Sequence, residues 1–173
     1  MVDRRRSMVD QGLKDILNQI CRAALNWPLT LTGGVGTGKT CAMLCLCDGI
    51  PGSIYKTMDQ FIEDLAVAAR GDLYDNDSGA KVSVPRYWAE WHSAPFVVLD
   101  EIGARTNVSD HYCSTLLRAI NERQGAPAAF ISNLDIASID SIIDARIASR
   151  LASGTVTDTG TVDRRIGGRN GPV

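Results

Sequence analysis

Hydrophobic positions along the chain switch between two periods. Leu13, Ile16, Leu17, Ile20, Cys21 and Ala24 recur at helical spacing, which predicts an amphipathic helix over residues 11–25. Asn26-Trp27-Pro28 ends it, and Leu29 to Thr32 follows as a short strand. The stretch Gly33-Gly34-Val35-Gly36-Thr37-Gly38 leads into a helix over 39–48, which Gly49 and Pro51-Gly52 close. Ser53 to Thr57 reads as a second strand. Thr57 and Gln60 form a Thr-x-x-Gln capping box, so a helix runs from there to Arg70. Residues 71–81 are rich in Gly, Asp and Asn and read as a loop, and 85–91 as a short helix. Phe96-Val97-Val98-Leu99 is continuously apolar, the pattern of a strand covered on both faces, with Asp100 at its carboxyl end. Leu116, Leu117 and Ile120 mark the buried side of a helix over 109–124, which Gly125 and Pro127 terminate. Ala128 to Ser132 is the next strand, 136–151 is helical, and Thr155 to Thr157 form a last strand.

Strands alternating with helices predict an α/β domain. The expected architecture is a three-layer sandwich, with a mostly parallel five-stranded sheet between helices. Residues 11–166 are expected to form it, with residues 1–10 as a flexible basic arm and 167–173 as a flexible Gly-rich tail.

Composition narrows the class. The 173 residues are 45% hydrophobic and 22% charged, ordinary for one globular domain. Eighteen Lys and Arg against twenty Asp and Glu give a net charge of −2, which excludes a wholly basic surface but not a local basic groove. The five cysteines follow neither a paired framework nor a Cys-x-x-Cys pattern, and His92 and His111 are the only histidines. Reduced, buried cysteines in a cytoplasmic protein are therefore expected. Asp3-Arg4-Arg5-Arg6 has no apolar region after it, so it is not a signal peptide. The longest apolar run, Cys41 to Cys47, is too short for a bilayer, and no membrane partner is expected.

The chemistry begins at residues 33–40, which fit G-x-x-x-x-G-K-[ST] between a strand and a helix. Such a loop cradles phosphates with its N–H groups and the helix N-terminus. Gly33, Gly34, Val35, Gly36, Thr37, Gly38, Lys39, Thr40 and Cys41 are the candidate nucleotide-binding set. Lys39 would reach the β- and γ-phosphates, and the Thr40 hydroxyl would bind Mg²⁺. Asp100, at the end of a buried strand, can join the Mg²⁺ shell, and Glu101 beside it can polarise an attacking water. Asn133 lies at the carboxyl end of another buried strand. It either orients that water or makes an Asn-turn or helix cap. Arg146 and Arg150 share one helix face, as solvated surface residues or as a finger entering a neighbour's site.

In this order, the glycine-rich loop, Phe96 to Gly103, Ile131 to Leu134 and Asp144 to Leu151 resemble AAA+ ATPases of the DnaC/IstB group. The similarity is greatest to the ATPase domain of DnaC-type replicative helicase loaders and spans residues 11–165. It implies ATP and Mg²⁺ as cofactors. Lys39 and Thr40 match Walker A, Asp100 the magnesium residue of Walker B, and Glu101 its catalytic carboxylate. Asn133 matches sensor 1, Arg150 the arginine finger, and Arg146 the basic residue one turn before it. The resemblance also implies self-association into a ring or filament, single-stranded DNA, and a replicative DNA helicase as partners. The segment that would contact single-stranded DNA corresponds to residues 70–93. There Arg70, Lys81 and Arg86 would hold phosphates, while Tyr87, Trp88 and Trp91 either stack on bases or pack under the sheet. The family's loaders grip the helicase with a separate N-terminal domain; here a short arm with Arg4-Arg5-Arg6 and the helix over 11–25 precede the Walker A strand and would have to do so instead.

Three functions fit. The first is an ATP-hydrolysing replication protein of the helicase-loader type. The second is an IstB-like transposition helper that binds duplex DNA. The third is a nucleotide-gated binding module with negligible turnover, against which Glu101, Asn133 and Arg150 stand together.

Overall fold

The computed structural model describes residues 25–104 and 108–161, together with residue 18. The expected arm at 1–10, nearly all of the helix at 11–25 and the tail at 167–173 lie outside the described residues. The apolar runs become strands β1 (Leu29–Thr32), β2 (Ile54–Thr57), β3 (Val97–Ile102), β4 (Ala128–Ser132) and β5 (Thr155–Asp158). The helices are α1 (Lys39–Gly49), α2 (Met58–Arg70), α3 (Val84–Ser93), α4 (Asp110–Asn121), α5 (Ile136–Ile142) and α6 (Ala145–Ala152). The strands form one parallel sheet in the order β2-β3-β4-β1-β5.

Alternation along residues 96–99, at the start of β3, divides the core in two. Phe96 and Val98 face a cluster with Ala42, Met43 and Leu46 of α1. Val97 and Leu99 face a larger cluster built from α2, α3, α4 and α6. The sheet is thus buried on both sides, which explains the unbroken apolar run that announced β3. Thr30, a buried polar residue of the interior strand β1, donates its hydroxyl to the Leu151 carbonyl at 2.8 Å and fixes the end of α6 on the sheet.

Two expected elements differ. The helical region at 136–151 is two helices, because the Asp144 carboxylate accepts the Arg146 N–H and caps a new helix there. The helix expected to reach residue 124 ends at Asn121, with Arg123 turned into the interior. The cysteines at 41, 45, 47 and 113 are half-buried rather than buried, and those at 41, 47 and 113 are free thiols, as expected. Among the described residues, no helix is long and apolar enough to cross a membrane.

The aromatics of α3 settle one open alternative. Trp88 and Trp91 are buried, and Phe61 of α2 meets Tyr87, Trp88 and Trp91 edge-on at 5.2, 5.4 and 4.8 Å. Trp91 donates Nε1–H to the Ala119 carbonyl at 3.0 Å, and the Arg118 guanidinium lies 4.0 Å over the Trp88 ring. Of the two alternatives, packing under the sheet holds for these tryptophans: they are core residues joining α2, α3 and α4.

Candidate functional site

Three loops at the carboxyl ends of β1, β3 and β4 meet in one cleft of about 250 Å³. It is lined by Val35 to Cys41, Asp100, Glu101 and Asn133. Residues nearly a hundred apart in sequence are brought together by the strand order, which sets β4 between β1 and β3.

The loop after β1 is built around an open helix end. Every other described helix has a side-chain N-cap, from Thr57, Ser83, Ser109, Asp135 or Asp144. The N-cap of α1 is Gly38, with φ 98° and no side-chain acceptor. The first-turn N–H groups of α1 thus face the cleft without a competing cap, the arrangement that favours an anion. Lys39 is buried, and its Nζ donates to the carbonyls of Gly33 and Gly34 at 2.7 and 2.8 Å. Burial pushes its pKa down, while Asp100 and then Asp158 oppose the shift.

Gly33 and Gly34 are not among the lining residues. Their lack of a side chain is required by the chain after β5, which crosses behind the loop. A Cβ on Gly33, at φ 119°, would lie 2.6 Å from Thr159 Oγ1 and 2.7 Å from the Gly160 carbonyl. Gly34 donates its N–H to that carbonyl at 2.7 Å, and the hydroxyls of Thr37 and Thr159 are 2.7 Å apart.

The acidic pair is aimed by a bulge. Leu99 pairs with Phe130 and Ile102 with Ser132, so β3 spends one more residue than β4 over that interval. In a regular strand Asp100 and Glu101 would point to opposite faces. Here Glu101 takes φ 61°, a left-handed conformation costly for a side-chain residue, and both carboxylates line the cleft. Asp100 is buried, and both of its carboxylate oxygens accept hydrogen bonds. Its Oδ2 accepts from the Thr40 and Tyr55 hydroxyls at 2.7 and 2.8 Å, and its Oδ1 from the Glu101 N–H at 2.6 Å.

Asn133 is exposed at the cleft mouth. The helix-cap alternative falls away, because Asp135 caps α5. Ser132 beneath it is buried, donates to the Ile102 carbonyl at 2.7 Å and accepts from the Leu134 N–H at 3.0 Å, tying the ends of β3 and β4.

Neither Arg146 nor Arg150 lines the cleft. Arg146 is bound to Asp144, with Nη2 to Oδ2 at 2.8 Å, and borders a separate groove of about 880 Å³ along α4. Arg150 is exposed, with Nη1 3.2 Å from Gln124 Oε1. Tyr55, Ser132 and Thr159 shape the site without a sequence motif of their own. The donor set suits a hard cation: the Thr40 hydroxyl and Asp100 carboxylate converge, and Mg²⁺ takes one or two such oxygens beside phosphate and water.

No protein-family model and no curated protein sequence matches the chain. Solved structures do. DnaA from Aquifex aeolicus with AMPPCP superposes with a TM-score of 0.64 at 18% identity, over 87% of this chain and 47% of that one. The DnaC helicase loader superposes with a TM-score of 0.59 at 17% identity, over 78% and 77%. A replication initiator DnaA bound to AMPPCP and single-stranded DNA superposes with a TM-score of 0.56 at 18% identity, over 76% and 39%. The chain spans about half the length of the first two structures it matches, 47% and 48%. With its parallel five-stranded sheet and the loop after β1, the chain has the fold of the AAA+ P-loop nucleoside triphosphatases.

Proposed function

We propose that the chain binds ATP with Mg²⁺ in this cleft and hydrolyses it as a DNA-replication protein of the helicase-loader type. The carrying observation is the bulge at Asp100 and Glu101, which turns two consecutive carboxylates toward one uncapped helix N-terminus. A site that only binds phosphate has no use for the second.

In this reading the N–H groups of residues 35–41 and the ammonium of Lys39 bind the phosphates. Thr40 and Asp100 hold Mg²⁺, whose charge, when bound, neutralises the β- and γ-phosphate oxygens. Glu101 takes up the proton side of an attacking water, and Asn133 orients that water from the other side of the cleft. Arg150 does not line its own cleft and lies against Gln124, so it would serve a second copy of the chain, with Arg146 one turn before it. Hydrolysis is then coupled to self-association into a ring or filament. The AMPPCP in the DnaA structures and the single-stranded DNA in one of them support ATP and DNA as ligands. The DnaC neighbour supports a replicative helicase as the protein partner.

Steady-state ATP hydrolysis against protein concentration, with and without single-stranded DNA, tests this. The expected specific rate rises with concentration, rises further with DNA, and is lost in Arg150→Ala. A flat rate insensitive to both would overturn the assembling ATPase in favour of a nucleotide-gated binding module.

A further inference from the structure

We propose that Tyr55 is a positioning residue of this cleft: its hydroxyl holds Oδ2 of Asp100 and thereby sets how strongly a divalent cation strengthens nucleotide binding. The inference rests on the reading of the cleft as an ATP and Mg²⁺ site.

Tyr55 belongs to the edge strand β2 and pairs with Val98 of β3. Neighbouring residues in register share a face, so its ring lies on the side of Val98 and Asp100, beside the α1 cluster. From there the phenol reaches along the sheet, and its hydroxyl stops 2.8 Å from Asp100 Oδ2. The same oxygen accepts the Thr40 hydroxyl at 2.7 Å. Two hydroxyl donors converging on one carboxylate oxygen fix both its rotamer and the direction of its remaining lone-pair density.

The two donors are not equivalent. Thr40 lines the cleft and is itself a candidate metal donor, whereas Tyr55 is not among the lining residues. Its bond to Asp100 is therefore support from behind. A phenol keeps its proton at neutral pH, so the hydroxyl donates to this carboxylate. Groups that orient a metal-holding carboxylate commonly change metal affinity by about 10–100-fold when removed, because a free carboxylate must be re-ordered each time the ion binds. Phenylalanine would keep the ring and remove only the donor.

The test titrates a fluorescent ATP analogue into the full chain, in EDTA and in MgCl₂. It compares wild type, Tyr55→Phe, Asp100→Asn and the double variant. The wild-type gain in affinity on adding Mg²⁺ is expected to shrink by about tenfold in Tyr55→Phe. Affinity in EDTA stays at the wild-type value. In the Asp100→Asn background Tyr55→Phe is expected to add nothing, because it acts through that carboxylate. A full Mg²⁺ gain in Tyr55→Phe overturns the proposal. So does an equal loss in EDTA and MgCl₂, which marks a merely structural ring, or an additive loss in the double variant. Wild-type protein without affinity for the analogue in either buffer would instead remove the nucleotide-site reading, and this inference with it.

Discussion

Arg123 is 2% exposed, and its three hydrogen-bond acceptors are all main-chain carbonyls. Nη1 donates to Trp91 and His92, at the end of α3, and Nη2 donates to Pro127 at 2.8 Å, just before β4. The reason lies two residues past α3. A continuing helix would satisfy the Trp91 carbonyl with the N–H of residue 95, but residue 95 is proline and has none. The guanidinium supplies that donor from 32 residues away. Replacing it with methionine preserves an unbranched apolar stem and removes every donor. The buried Trp91 carbonyl is left unmade at a cost of about 1–3 kcal/mol. The carbonyls of His92 and Pro127 add about 1 kcal/mol each, partly offset because no guanidinium is buried any longer. Arg123→Met is therefore expected to lose about 3 kcal/mol of stability, or about 6–12 °C in Tm for a chain of this length. Arg123→Lys loses a similar amount, since one ammonium cannot span carbonyls on two elements. Urea unfolding followed by tryptophan fluorescence reads both. A loss in Arg123→Met within the ordinary surface range of about 0.5 kcal/mol would refute the capping argument.

Glu101→Gln is expected to bind ATP at wild-type affinity and to hydrolyse it about 10²–10⁴-fold more slowly, which single-turnover measurements would read; a rate within threefold of wild type, roughly the scatter of a neutral change, would remove its role. Gly33→Ala places a Cβ 2.6 Å from Thr159 Oγ1 at φ 119°, and is expected to lose roughly 1–3 kcal/mol in thermal unfolding. An unchanged midpoint would show that the crossing at 158–161 yields freely. The Arg146 side chain and N–H hold the Asp144 carboxyl down at about 2, below its ordinary 3.8. Its folded-state value is depressed, so its stabilising contribution is complete above the ordinary value and is lost as pH falls through about 2. In Arg146→Met, an NMR titration should find the Asp144 midpoint moved up toward 3.8, and an unmoved midpoint would deny the pairing. With Trp88 and Trp91 in the core, single-stranded DNA binding through residues 70–93 would be electrostatic. Replacing Arg70 and Lys81 together should then shrink the log–log salt slope by roughly 1.4, and an unchanged slope would place the DNA elsewhere.

What could be read along the chain was what one continuous segment makes by itself. The glycine-rich loop needs its neighbours in sequence and a helix behind it, and residues 33–40 carry all of that. The Thr57–Gln60 capping box is equally local, and both of its hydrogen bonds are present. The Val97–Leu99 run announced a strand buried on two faces because each face contributes its own alternate residues. The split at Asp144 was less legible. Apolar spacing continues through 136–151, and only the carboxylate's choice of the Arg146 N–H breaks the helix. The α3 aromatics were undecidable for a related reason. A cation beside a tryptophan reads the same on a DNA-facing surface and under a sheet, and Phe61, contributed by α2, decides between them.

The remaining site residues share a different property. Tyr55 meets Asp100 across 45 positions, and Thr37 meets Thr159 across 122. Each is an ordinary residue in an ordinary element, and none sits in a spacing that calls for it. Their chemistry exists only once the sheet order has set β2 beside β3 and β5 beside β1. The cleft is thus assembled from two kinds of part. A local loop supplies the groups that face a ligand, and distant hydroxyls and backbone crossings hold those groups still. The first kind is shared by any P-loop and says little about what sets one chain apart. On the proposed reading of the cleft, the second kind is where affinity and ion dependence would be set, because Asp100 is fixed by Tyr55 from the edge strand and the loop by Thr159 from the opposite edge.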